Sequence, residues 1–407
     1  MNRNDRAVTA FTMLGHATFH TYELAIPLFV VVWLDVFETS PAVLGGVVGL
    51  SFAAIGLGAL PTGLLADRVS ARGLVLASVL GMGSSMIVVA VTPSLGVLAI
   101  ALVGWGIAAS LYHPAALTLL SRATTARGRA FALHGLAGNV GVATGPIVAA
   151  VLLGVLDWRA VALVLVLPVA VAVIAAIGLK FDETAGTRER RGERAADGGA
   201  VHSLGDFLGH TRALFTGGFV IVFVLAILYG TYYRGSMTFL PEILAGLALF
   251  DPVSVAGQAI EPSRYVYAGL LLIGGAGQYA GGRLVEAMRT ESALILGYAA
   301  LVGIALVLLP LAAVGLIPLL AGAAALGFLV FMLPLINQEA ISAYTAANVR
   351  GLSFGYNYMA LFGVGAIGAP LAGIILTRWS PDALFVVLAI IALMGTALAA
   401  TLWWRGN

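Results

Sequence analysis

The sequence predicts an all-α integral membrane protein with twelve transmembrane helices in two pseudo-symmetric six-helix bundles. Three observations carry this. Of the 407 residues, 60% are hydrophobic and only 10% charged, against about 25% charged in a soluble domain. The apolar runs reach the ~20 residues a helix needs to cross a bilayer and lack the alternation of a barrel strand. One charged stretch, Lys180 to Arg212, divides the chain into halves that resemble each other.

The spans are expected at about 9–33, 42–65, 74–91, 95–120, 130–155, 160–179, 214–244, 264–286, 292–313, 316–341, 352–376 and 382–404. The first has no short apolar core followed by a small-residue cleavage site, so it is expected to stay as a membrane helix. The interrupting stretch, DETAGTRERRGERAADGG, mixes both charge signs with Gly and Ala. It cannot bury an apolar face and reads as a flexible linker. The expected organisation is a bundle over 1–179, a cytoplasmic linker over 180–213 and a second bundle over 214–407.

Charge placement sets the expected orientation. With both termini inside, only Arg159, Arg264 and Arg378 of the 21 Lys and Arg residues fall on outer segments, and Arg234 falls inside a span. Such a bias puts the termini in the cytoplasm and the chain in the inner cell membrane. Cysteine is absent, which excludes disulfides and thiolate metal sites. No nucleotide-binding loop and no large soluble segment is present, which argues against an enzyme and leaves no expected cofactor. The basic residues sit in inner loops next to lipid, not in a nucleic-acid-binding patch.

The halves align in detail. AIPLF at 25–29 matches FLPEI at 239–243, which places His20 opposite Arg234. RGRAFAL at 127–133 resembles VRGLSFG at 349–355, and GVATGPIVA at 141–149 resembles GAIGAPLAG at 365–373, with Pro146 opposite Pro370. Paired halves of this kind are expected of a transporter with its binding site near the membrane midplane.

The first span carries the most informative residues. Thr12, His16, His20, Glu23 and Pro27 follow at steps of three or four, so they share one helical face. An ionisable group this deep is costly unless it faces a wet cavity or a partner. Glu23, with His20 and His16, is therefore the expected proton-coupling group. Burial and a nearby cation pull a carboxylate's proton affinity in opposite directions, so substrate arrival can switch it. Arg234 cannot lose its charge and needs an anion: Glu23, a substrate, or both in alternation. Expected substrate-binding partners are Tyr229, Tyr233, Tyr112, His113, Asn337, Gln338 and Asn357. Structural alternatives stand beside these: His113 can satisfy carbonyls at a helix end, and Asn357 can be interhelical glue.

Two motifs point to a family. The loop GLLADRVSARG resembles the major facilitator superfamily signature between second and third helices, with Gly63, Asp67, Arg68 and Arg72 on the matching positions. Its counterpart GGRLVEAMR at 281–289 is degraded, with Glu286 as the acid and Ala287 in place of the following Arg. GVATGPIVA resembles that superfamily's antiporter-associated motif through Gly141, Gly145 and Pro146. The stretch LYHPAALTLLSRATTARGRAF looks like the branch that includes fosmidomycin-resistance exporters. One position departs: Leu102 stands where many proton antiporters of the superfamily carry an Arg.

The resemblance implies a conformational latch at Gly63, Asp67, Arg68 and Arg72. It also implies a cavity lined by the first, fourth, seventh and tenth spans, export of a small organic solute, and a monomer. As physics, Gly141, Gly145 and Pro146 form a close-packed, kinkable face. The expected function is proton-coupled secondary transport by alternating access, with lipid, a small molecule and protons as partners. Two alternatives remain open. The His16, His20 and Glu23 face has metal-ligand spacing and would suit a divalent-metal transporter; a membrane sensor that binds without moving its ligand is the other.

Overall fold

A computed structural model describes residues 1–66, 68–190, 204–215, 217–255, 258–345 and 350–405. Apart from a short antiparallel hairpin, in which Val253–Val255 pairs with Gln258–Ile260, its regular structure is helical. The long helices are α1 (Arg3–Val36), α2 (Pro41–Ala66), α3 (Ala71–Ala90), α4 (Leu95–Ala123), α5 (Arg127–Leu153) and α6 (Trp158–Gly178) in the first half. The second half holds α7 (Gly218–Ala245), α8 (Pro262–Ala287), α9 (Thr290–Val307), α10 (Leu316–Ala343), α11 (Leu352–Arg378) and α12 (Pro381–Arg405). Eleven of them are long and apolar enough to cross a membrane. The twelfth, α8, has the length, but its glycines, tyrosines and Gln278 lower its hydropathy.

The chain divides into two compact units, Met1–Glu38 with Leu50–Ala196, and Thr39–Gly49 with Asp197–Asn407. In the second unit the start of α2 lies along α11. The Ala42 N–H donates to Thr377 Oγ1 at 2.9 Å, and a Cβ on Gly45 would stand 2.6 Å from the Ala369 carbonyl oxygen.

Prolines break three of the long helices at the place their chemistry dictates. A proline lacks an N–H and its ring collides with the carbonyl four residues back. The first piece of α4 ends at Ser110, four before Pro114. That of α6 ends at Val164, four before Pro168, and that of α7 at Met237, four before Pro241. In α6 the Val169 N–H bonds to Val166 rather than Leu165. The freed Leu165 carbonyl accepts from the Tyr22 hydroxyl of α1 at 2.8 Å. This is how a non-helical backbone is tolerated at membrane depth, because a neighbouring helix satisfies it.

Within the first unit, α1 and α5 run parallel and in close contact. Glycines make the approach. A Cβ on Gly141 would fall on the Ala17 carbonyl oxygen, and one on Gly145 would stand 2.6 Å from Thr21 Cα. Gly141 and Gly145 of the expected packing motif are thus on the face of α5 turned to α1, and Pro146 is buried with them. In the second unit α11 is irregular: a π-helical turn, Met359–Val364, passes into a 3₁₀ turn, Gly365–Ile367. Gly365 crosses Gly230 of α7 so closely that a Cβ would lie 2.8 Å from Gly230 Cα.

Candidate functional site

In the first unit α1 presents His16, His20 and Glu23 on one face, as their spacing predicts. The side chains form one chain of hydrogen bonds. His16 Nδ1 meets the His134 carbonyl oxygen at 2.7 Å, His20 Nε2 meets His16 Nε2 at 3.1 Å, and His20 Nδ1 meets Glu23 Oε2 at 2.7 Å. The Glu23 side chain is only 3% exposed and that of His20 is 19% exposed. His20 is therefore the member that solvent reaches first.

These bonds fix the protons. The His134 carbonyl can only accept, so His16 Nδ1 carries a hydrogen. If His16 is neutral, its Nε2 accepts and His20 Nε2 donates. The last bond then needs a proton between His20 Nδ1 and Glu23. If His16 Nε2 donates instead, His16 is the imidazolium. Every arrangement that closes all three bonds holds one proton more than two neutral imidazoles and a carboxylate. The closed network is neutral overall, which lowers the cost of burying it. Without that proton, two lone pairs face each other at one of the two side-chain contacts.

The break in α4 brings two more expected residues to this cluster. The Tyr112 hydroxyl donates to the Thr12 carbonyl. His113 lies edge-on to His16 and to Phe19, at centroid distances of 5.1 and 4.6 Å. From α5, His134 stacks on His16 at 4.0 Å with the rings within 4° of parallel. The stack needs Gly138, where a Cβ would stand 2.5 Å from His16 Cε1. His134 is the member the sequence reading did not place at the site. The signal was present: it lies four residues before Gly138, on the glycine face that meets α1.

Three imidazoles, those of His16, His20 and His113, have ligand atoms within 4.8 Å of one another. Such a group could hold a transition-metal ion, for which imidazole is a suitable donor. The spacing-based set was His16, His20 and Glu23; in the structure Glu23 is engaged by His20, and His113 is the third nitrogen donor.

The second unit carries a separate cluster. Arg234 of α7 is 3% exposed, and its guanidinium lies over the rings of Tyr233 and Phe362 at 4.8 and 5.3 Å. Tyr233 stacks on Tyr229 at 6.0 Å and meets Phe331 edge-on at 6.0 Å. The Tyr229 hydroxyl is committed to the Val330 carbonyl at 2.8 Å, so its ring rather than its hydroxyl faces Tyr233. The π-helical turn of α11 positions Phe362, a register the sequence does not announce. Asn337 and Asn357 are buried in α10 and α11, whereas Gln338 is exposed.

Of the expected latch, Asp67 lies outside the described residues. Arg68 is exposed, and a Cβ on Gly63 would meet no atom within 4 Å. Arg72 turns to its own unit: its guanidinium donates to the Ala176 and Leu179 carbonyls at 2.8 and 3.1 Å and covers the Phe181 ring at 4.7 Å. It caps the C-terminal end of α6, where a cation is favoured.

Comparison with known proteins fixes the family. The family model for the Major Facilitator Superfamily matches residues 10–359. No curated protein matches the sequence. Among solved structures, the fold is similar to a D-xylose-proton symporter, with a TM-score of 0.76, 13% identity and 97% of each chain covered. It is similar to the nucleoside transporter NupG, with a TM-score of 0.75, 13% identity and 99% of each chain covered. A POT family transporter in complex with 5-aminolevulinic acid gives 0.75 at 12% identity, covering 97% of this chain and 96% of that one. The chain belongs to the Major Facilitator Superfamily and is a membrane transporter rather than an enzyme.

Proposed function

We propose that this chain couples proton movement to the transport of a small organic anion by alternating access, with export as the direction. The observation that carries the proposal is the hydrogen-bonded chain from His134 through His16 and His20 to Glu23, which closes only with one added proton. Proton loss leaves lone pairs opposed at bonding distance and opens one of the two side-chain contacts, His16 to His20 or His20 to Glu23. Proton binding closes it. Proton occupancy is thereby converted into side-chain position on α1.

Arg234 recognises the anionic head of the substrate, and the rings of Tyr233, Phe362 and Phe331 receive its organic part. Export rests on the resemblance of Gly141, Gly145 and Pro146 to the antiporter-associated motif, and the nearest branch on the likeness of residues 105–150 to fosmidomycin-resistance exporters. The charge bias of the loops supports cytoplasmic termini in the inner cell membrane. The superfamily supports a monomer. Asp67, Arg68 and Arg72 serve as the latch in a conformation other than the one described.

The test is a ligand-stabilisation screen on the purified protein in detergent, at two pH values. Ligands that bind the folded state raise the melting temperature by mass action. The panel holds phosphonates and other organic anions, lipophilic cations, sugars and divalent metals. A pH-dependent shift with an anion, lost in Arg234→Gln, supports the proposal. A shift with cations or sugars alone sinks the anion reading. The clustering of His16, His20 and His113 favours one second reading, in which a divalent metal is the cargo. A shift with metals alone, lost in His113→Ala, decides for it.

A further inference from the structure

The parallel packing of α1 and α5 sets two helix N-termini side by side, each with the positive end of its dipole at the same end of the unit. Asp5 of α1 shows how close they are: its carboxylate accepts from the Thr125 N–H, the Thr125 hydroxyl and the Ala126 N–H at 2.9 to 3.2 Å, just ahead of α5. That acid is spent on the cap. Around it the sequence places Arg6 on α1 and Arg127 and Arg129 in the first turn of α5, which has no acidic residue there. Cations at a helix N-terminus oppose the dipole. Arg127 escapes by donating to the Ser121 carbonyl. Arg6 and Arg129 have no acidic partner among the described residues.

These two arginines line one cavity of about 340 Å³, whose other walls include Ala10, Met13 and Leu133. Thr9, 2% exposed, also lines it, and its Oγ1 has no hydrogen-bond partner among the described residues. The cavity thus combines two arginines without an acidic partner and a spare hydroxyl with an apolar lining from Ala10, Met13 and Leu133. Along α1, Arg6 stands ten residues before His16, about 15 Å by helical rise, so the cationic end of the cavity is separate from the histidine cluster.

We propose that this cavity binds an amphiphilic anion, with a phosphate, phosphonate or carboxylate head on Arg6 and Arg129 and an apolar chain along Ala10, Met13 and Leu133. The inference stands independently of the role given to Arg234. An anion there satisfies both guanidiniums together. The same chemistry is offered by an anionic phospholipid and by a free organic anion.

The probes are octylphosphonate, methylphosphonate, phosphatidylglycerol and phosphatidylcholine, applied to the full chain in uncharged detergent. Calorimetric titration should show octylphosphonate binding the native protein at least tenfold more tightly than methylphosphonate. Arg6→Gln/Arg129→Gln should weaken it at least tenfold, whereas the surface pair Arg378→Gln/Arg405→Gln should retain that binding. Native mass spectrometry then separates the sources. Phosphatidylglycerol, but not phosphatidylcholine, retained and displaced by octylphosphonate supports a lipid occupant. Octylphosphonate binding with no retained lipid supports a free anion. Equal binding of the two phosphonates by the native protein overturns the proposal without recourse to any variant. So does unchanged binding in the Arg6→Gln/Arg129→Gln protein.

Discussion

Glu23 and Arg234 put the case at the level of single residues. Glutamine at 23 can donate its amide hydrogen to His20 Nδ1 and so imitates the protonated carboxyl. Glu23→Gln should therefore fold with stability within about 1 kcal/mol of the native protein. Transport in proteoliposomes should no longer respond to an imposed pH gradient; a full response in this variant removes Glu23 from the coupling. The Arg234 guanidinium lies over the rings of Tyr233 and Phe362, and lysine lacks the planar fork that makes these contacts and meets an anion in two places. Arg234→Lys should weaken anion binding about tenfold or more, equivalent to roughly 1.4 kcal/mol. Unchanged affinity by titration would show that only the charge matters, not the planar fork.

At the scale of helices, two glycines make opposite predictions. Gly138 has the His16 ring 2.5 Å from where a Cβ would stand, whereas Gly63 has open space. Gly138→Val should lower stability by about 1–3 kcal/mol through overpacking and push His16 off the His134 ring. Gly63→Ala, in the interior of α2, should leave stability unchanged or raise it by up to about 1 kcal/mol. Thermal unfolding of the two variants side by side measures both, and an equal loss in each would refute the packing argument. The glycine spacing was readable in the sequence, and so was the proline that breaks α4. Which ring fills the gap was not, because His134 and His16 are 118 residues apart and only the helix register joins them.

For the chain as a whole, the start of the linker is docked rather than free. Phe181 lies under Arg72 and beside Phe11, and the Glu183 carboxylate accepts from the Ser70 hydroxyl and the Arg72 N–H. Asp182 accepts from the Thr184 N–H and hydroxyl, and these bonds, with Arg188 nearby, hold its carboxyl below the usual value of 3.8. A depressed carboxyl supports structure above its unfolded value and loses that support as pH falls through the folded value. Hydrogen exchange of the Thr184 amide should thus accelerate as pH drops below about 3.8, after correction for intrinsic rates. No extra acceleration there would mean that Asp182 does not hold this turn.

Composition and hydropathy were enough to determine that the chain is helical and spans a membrane, because a bilayer leaves each span no other way to satisfy its backbone. The face of α1 with His16, His20 and Glu23 was equally legible, since helical periodicity is local. What only the tertiary structure decided was the company those residues keep. His134 and His113 join the first cluster, Phe362 joins Arg234 through a π-helical turn, and Arg6 meets Arg129 at a shared cavity. Each depends on the rotation and register of one helix against another. Those are set by the glycines and broken turns of both partners at once, and no single stretch of sequence contains them.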